Sequence, residues 1–227
     1  MEFGFYLTNY YPDPNAQAFA DLCRDSTEEA VVAEQLGFTS ISIPEHHFAN
    51  YLTIPSPLVY AAHIGARTQN IRIVTAILVL PFYDPLRLAG EITLTDNLTG
   101  GRLELGLGRG AFGYEFKRFG QSVAESRDRF SEFVSLLDRL LTEHDVTYAG
   151  RYYDVNDPVT IMPRPAQSPR PTFWIAALGE GGIRWAVSEG HSLLTTPLRD
   201  PFEVAVKQAE WFRDARAGNP VGPADQT

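Results

Sequence analysis

Cysteine is nearly missing from this chain. Cys23 is the only one in 227 residues, so no internal disulfide can form and no cysteine-based zinc site can be assembled. Basic residues are in deficit too: 19 Lys and Arg stand against 28 Asp and Glu, a formal net charge of −9. No Lys/Arg cluster offsets that field, which repels phosphate backbones and anionic lipid surfaces and argues against nucleic acid or a membrane as partner. Long apolar runs are lacking. The longest, Ile73 to Leu80, contains Thr75 and falls far short of the ~20 residues that cross a bilayer. The chain opens Met-Glu-Phe-Gly, with no basic leader and no cleavage site, so a cytoplasmic protein is expected. With 44% hydrophobic and 21% charged residues, the composition is that of a globular fold, expected as one domain over 1–227.

What is present is alternation. Six short segments rich in Ile, Val, Leu, Phe and Thr read as strands buried on both faces: Phe3–Thr8, Thr39–Ile43, Ile71–Leu80, Leu103–Leu107, Thr172–Ala177 and Ser192–Thr195. Helical segments lie between them. Ser26-Thr27-Glu28-Glu29 reads as a capping box, with Gly37 closing that helix, and Asp84-Pro85 as a cap followed by Pro at the first helical position. Phe130, Phe133, Val134, Leu137, Leu140 and Leu141 have the spacing of an amphipathic helix, and Asp200-Pro201 opens a last helix that Gly218 closes. The Tyr/Pro-rich excursion at 146–171 is too polar for a central strand; its start, Val146 to Tyr153, reads as a hairpin turning at Ala149-Gly150.

Strands alternating with helices predict right-handed βαβ units and a parallel sheet. A doubly wound dinucleotide fold would place glycines after its first strand, whereas here that strand runs into Asn9-Tyr10-Tyr11-Pro12-Asp13-Pro14. The expected fold is therefore a TIM-type (β/α) barrel shortened to about six βα units, with functional groups at the strand C-termini.

Several strand ends carry unusual chemistry. Pro44-Glu45-His46-His47-Phe48 follows the second strand. Neighbouring strand residues face opposite ways, so His46 and His47 cannot readily share a metal ion, and no further ligand pair is evident. Each histidine is either a satisfied core or surface side chain or, at the strand-end face of a barrel, an acid/base. The fourth strand ends Gly106-Leu107-Gly108-Arg109-Gly110, where glycines admit a close ligand and arginine offers a planar cation. The fifth ends Ala176-Ala177-Leu178-Gly179-Glu180-Gly181-Gly182, before a helix expected from near Ile183. Glycine N–H groups at a helix start can bind an anion without lysine. Together these segments read either as tight turns or as a site for a phosphate-bearing ligand.

Pro44–Phe48, Leu98–Gly110, Glu115–Gly120, the Gly-Arg-Tyr-Tyr stretch at 150–153 and the Pro-rich lead into Trp174 resemble, in order and spacing, segments of the bacterial luciferase-like flavin-dependent monooxygenase family. The resemblance covers nearly the whole chain. It implies a barrel that takes reduced FMN (FMNH2) from a separate flavin reductase, forms a flavin C4a-peroxide with O2 and oxidises a small organic substrate. It implies His46 as acid/base, Arg109 on the FMN phosphate, and Leu178, Gly179, Glu180, Gly181 and Gly182 as the phosphate loop. Leu178 and Gly179 stand where the family carries acid or hydroxyl side chains. Ala76 and Ile77 match a non-prolyl cis peptide beneath the flavin ring, and Glu45, Ala177, Thr195 and Thr196 match ring-contacting positions. Gly108 replaces the cysteine of true luciferases, so light emission is not implied. Glu115 is expected either toward the substrate or as a solvated acid. A homodimer through the second and third helices is implied.

Two other functions stay open: a non-catalytic flavin-binding remnant or partner subunit, and an F420-dependent oxidoreductase. The last two βα units of the family are not found in the chain. That leaves a natural truncation, a shortened piece of a longer chain, or a partner that completes the barrel.

Overall fold

The computed structural model describes residues 2–13, 15, 18–197 and 200–218. In chain order the elements are β1 (Gly4–Tyr6), α1 (Phe19–Gln35), β2 (Ser40–Ile43), α2 (Pro57–Gly65), β3 (Arg72–Val79), α3 (Pro85–Leu98), β4 (Leu103–Gly108), α4 (Gly113–Arg118), α5 (Ser126–Thr142), β5 (Val146–Ala149), β6 (Asp154–Val159), β7 (Phe173–Ala176), α6 (Glu180–Ser188), β8 (Ser192–Leu194) and α7 (Phe202–Gly218). Six strands form one all-parallel sheet in the order β1-β2-β3-β4-β7-β8. Each strand thus lies beside the next of its kind along the chain, as in the wall of a (β/α) barrel, and all C-termini emerge on one face. Within this sheet, β1 and β8 are the edge strands.

The apolar runs became strands because both faces are covered. Ile41, Ile43, Ile73, Leu78, Leu103, Leu105 and Leu107 are fully buried, as are Ala30, Ile64, Leu88, Ile92, Phe133 and Leu137 of the surrounding helices. Asp84 caps α3 by accepting the Arg87 N–H at 2.9 Å, with Pro85 at the first position. Gly37 closes α1 with φ +85, a conformation that costs glycine nothing.

Two local expectations are corrected. Ser26 and Thr27 do not cap a helix: α1 starts at Phe19, both are buried inside it, and the Thr27 hydroxyl donates to the Cys23 carbonyl. A hydroxyl that bonds back one turn satisfies itself within a helix as readily as at its start. The hairpin of the excursion turns later than expected. Glu132 of α5 accepts the N–H groups of Arg151, Tyr152 and Tyr153 at 3.1, 2.9 and 2.9 Å, so these residues cannot pair with β5, and the returning strand is Asp154–Val159.

His191 lies between α6 and β8, against the rings of Phe173 and Trp185. Burial, reinforced by the Arg170 charge and opposed by Asp138, pushes its imidazole down to about 4 from 6.5. A histidine depressed in the folded state stabilises fully above the unfolded pKa and loses that stability as pH falls from 6.5 toward 4. The contribution is about 2–3 kcal/mol. Thermal unfolding at pH 7 and 4.5 should show an acid loss that His191→Gln largely removes; an unchanged loss in the variant would assign it elsewhere.

Candidate active site

β2 stops at Ile43 because Pro44 has no N–H for the ladder, and the next three residues turn across the strand-end face. Glu45 is 2% exposed. Its Oε1 lies 2.8 Å from His47 Nε2, and its Oε2 accepts the Val79 N–H at 3.0 Å and the Tyr83 hydroxyl at 2.9 Å. Burial, then the Glu45 charge, pushes the Tyr83 phenol well above its ordinary value. Glu45 therefore fastens the end of β2 to the end of β3, with both oxygens engaged by protein. Glu115 is neither solvated nor an open substrate-facing acid. It is 1% exposed in α4 and accepts the His47 N–H at 2.8 Å. Its Oε1 also lies 3.5 Å from His46 Nδ1, without hydrogen-bond geometry, since that nitrogen makes no hydrogen bond. Two buried carboxylates thus hold His47 by its ring and its N–H, and the His46 ring packs on Tyr51 and Phe112 at 5.3 and 5.2 Å.

The neighbouring strand ends form a flat floor. Ala76–Ile77 is a non-prolyl cis peptide, at the place where the β3–β4 register shifts between Thr75 and Leu78. A Cβ on Gly106 would sit 1.9 Å from the Thr75 carbonyl oxygen, and one on Gly108 would sit 1.9 Å from Ile77 Cδ1. Gly106 takes only glycine because the β3 backbone presses directly onto it, whereas at position 108 a Cβ would have to displace the end of the Ile77 side chain.

Arg109 follows β4. Leu107 pairs with Ile175, so continuing the register brings Arg109 beside Ala177, whose own N–H donates to the Leu194 carbonyl at 3.1 Å. Helix α6 starts at Glu180, three residues before the expected Ile183, with Gly179 as its cap. The Gly182 and Ile183 N–H groups both donate to Gly179 O at 3.1 Å, which leaves those of Glu180 and Gly181 at the open end. Gly181 and Gly182 are therefore helical rather than loop, because glycines carrying no side chain can be drawn into the first turn once a following amphipathic run holds the helix. A Cβ on Gly181 would lie 3.2 Å from Arg127 Nη2 of α5. Arg109 and Arg127 are both exposed, with no carboxylate partner among the described residues. Arg127 went unrecognised in the sequence, where it belongs to none of the segments singled out for the site. Thr195 and Thr196 line a groove of about 380 Å³ with Trp174, Gln208 and Phe212. A groove of about 400 Å³ around Arg139 and Tyr148 lies on the hairpin, away from the strand ends.

This arrangement can do two things: hold an anion between two arginines and a helix start, and present a histidine to a flat ligand on the β3–β4 floor. Residues 1–226 match the luciferase-like monooxygenase family, and the chain belongs to it. A flavin-dependent trigonelline monooxygenase, oxygenase component, from Acinetobacter baylyi is 30% identical over 88% of this chain and 55% of its own. The chain thus spans about half the length of the curated relatives it matches. The monooxygenase RslO1 from Streptomyces bottropensis superposes with a TM-score of 0.91 at 33% identity, covering 99% of this chain and 68% of that one. The fold is shared with the oxygenating constituent of 3,6-diketocamphane monooxygenase from Pseudomonas putida in complex with FMN, at a TM-score of 0.86, 20% identity and coverage of 99% and 64%. It is shared also with an F420-dependent secondary alcohol dehydrogenase, at a TM-score of 0.75, 18% identity and coverage of 98% and 66%. The fold is therefore a luciferase-like barrel wall of six strands, and the relatives include a flavin-dependent monooxygenase. Among the described residues no helix is long and apolar enough to cross a membrane.

Proposed function

We propose that the chain is the oxygenase part of a two-component, FMN-dependent monooxygenase. The observation that carries this reading is a pair of exposed arginines with no carboxylate partner among the described residues, Arg127 beside Gly181 of α6 and Arg109 beside Ala177 in the continued β4–β7 register. Arg109 and Arg127, with the Glu180 and Gly181 N–H groups, suit the FMN phosphate. The ring would lie over Ala76–Ile77, beside Gly108, with Ala177, Leu178, Gly179 and Gly182 shaping the phosphate end and Thr195 and Thr196 the far side. Bound reduced flavin supplies two electrons to O2, one oxygen atom entering a small organic substrate and the other leaving as water.

His46 is the proton-handling residue in this reading, its Nδ1 free of protein hydrogen bonds and its ring held by Tyr51 and Phe112. Glu45, expected at the ring, acts instead through His47 and Val79. A separate reductase supplies FMNH2, and the chain works as a homodimer in the cytoplasm. The absorption spectrum of the cofactor retained after reconstitution distinguishes FMN from F420.

His46→Ala should leave FMN affinity unchanged. The fraction of reduced flavin whose oxidation yields an organic product, measured over a panel of aldehydes and ketones, should fall by roughly 10²- to 10⁴-fold. Parallel losses of binding and product would make His46 structural. An unaltered His46 protein that binds reduced FMN and returns only hydrogen peroxide across the panel would instead support the non-catalytic remnant.

A further inference from the structure

Buried polar atoms almost always find partners, so those that do not are informative about what else belongs at a site. Six side-chain atoms among the described residues are buried without a hydrogen bond, and four of them belong to three segments whose backbones meet: Asn9 Nδ2, Asn9 Oδ1, Thr53 Oγ1 and His46 Nδ1. Their backbones are contiguous. Thr53 N–H donates to Asn9 O at 3.0 Å, Leu52 N–H to Thr8 O at 3.1 Å, and His46 N–H to Ile54 O at 3.3 Å. All three segments sit beyond the C-terminal ends of β1 and β2, on the face that carries His46.

The backbone over these groups is strained. Asn9, Phe48 and Leu52 have φ of +33, +59 and +49. Asn tolerates that region, but a leucine there is a true outlier, and such outliers cluster at ligand-binding segments. The positive-φ residues thus belong to the same segments as the unsatisfied side chains, and backbone hydrogen bonds from Leu52 to Thr8 and from Thr53 to Asn9 hold those segments together.

We propose that Asn9 and Thr53, beside His46, form a substrate subsite for a neutral group that both donates and accepts hydrogen bonds, of the hydroxyl or carboxamide class. The donor set defines the class. Asn9 offers an NH2 and a carbonyl side by side, and Thr53 offers a hydroxyl of either sense. Neither side chain carries charge, so a carboxylate or ammonium group finds no counter-ion on them. This deepens the oxygenase reading and rests on it, placing the substrate's polar end next to the proton-handling histidine.

The test titrates the full chain, with and without FMN, with hexanamide and with N,N-dimethylhexanamide, which keeps the carbonyl and loses both N–H groups. The side-chain NH2 resonance of Asn9 is followed by NMR. Hexanamide should bind roughly tenfold more tightly than its dimethyl derivative and should shift the Asn9 resonance. Thr53→Val, which exchanges hydroxyl for methyl, should lose most of that preference and raise the melting temperature by about 2–4 °C, because an unsatisfied buried group has been removed. Asn9→Gly, which suits the positive φ, should lose the preference as well.

Equal binding of the two amides overturns the subsite. So does failure of both to bind, an unmoved Asn9 resonance, or a Thr53→Val protein that keeps the preference. FMN affinity in the same samples separates the two readings. FMN binding without amide discrimination sinks the subsite alone, and amide discrimination without FMN binding sinks the cofactor reading alone.

Discussion

Glu45→Ala should destabilise the protein by about 3–5 kcal/mol, the range for breaking a buried, hydrogen-bonded charged network. The mutation strands several groups at once: the Val79 N–H, the Tyr83 hydroxyl and His47 Nε2 all lose an acceptor that lies 2.8–3.0 Å away. The site is 2% exposed, so water cannot replace the carboxylate without opening the ends of β2 and β3. Glu45→Gln keeps the shape and one acceptor oxygen, and it should recover roughly half of the loss. Denaturant titration of the three proteins measures this. A Glu45→Ala loss below about 1 kcal/mol, the level of an exposed pair, would show that Glu45 is not the tie between these strands.

The second large effect concerns affinity. Arg109→Ala and Arg127→Ala should each weaken FMN binding by about 1.5–3 kcal/mol, the value of a charge-assisted hydrogen bond, which is roughly ten- to 150-fold. The double variant should lose close to the sum only if the two guanidiniums reach different phosphate oxygens. Riboflavin, with no phosphate, should bind all four proteins alike. Both arginines are exposed and without a carboxylate partner among the described residues, so their loss should leave the melting temperature nearly unchanged. A matching loss of riboflavin affinity would mean that the arginines shape the barrel end rather than hold the phosphate.

How much of this was legible in the sequence depends on whether a signal was local. The six strands were readable because each is a short apolar run covered on both faces, and the Asp84-Pro85 cap because its chemistry is contained in neighbouring residues. Ser26-Thr27 misled for the same reason: the pattern is local, but burial of both side chains within α1 is a tertiary fact. The hairpin turn was displaced by Glu132, nineteen residues before Arg151 in sequence.

The site divides in the same way. His46, Arg109 and the glycines of β4 sit at strand ends that sequence reading can locate, and the cis bond at Ala76–Ile77 lies where the family resemblance put it. The contacts of Glu45 with Val79 and Tyr83, and of Glu115 with His46 and His47, were not readable, because they span 34 to 69 positions. Arg127 has no distinguishing neighbour; only the proximity of Gly181 marks it. Asn9 and Thr53 carry no motif at all, and they emerge only from the count of buried atoms without partners.

The central claim is that the strand-end face binds reduced FMN by its phosphate. Anaerobic titration of the chain with FMNH2 and with dihydroriboflavin, followed by flavin fluorescence and absorbance, tests it most directly. The account predicts saturable binding of FMNH2 at one site per chain and at least a tenfold weaker hold on dihydroriboflavin. Equal affinity for the two flavins, or no binding of either, would contradict it.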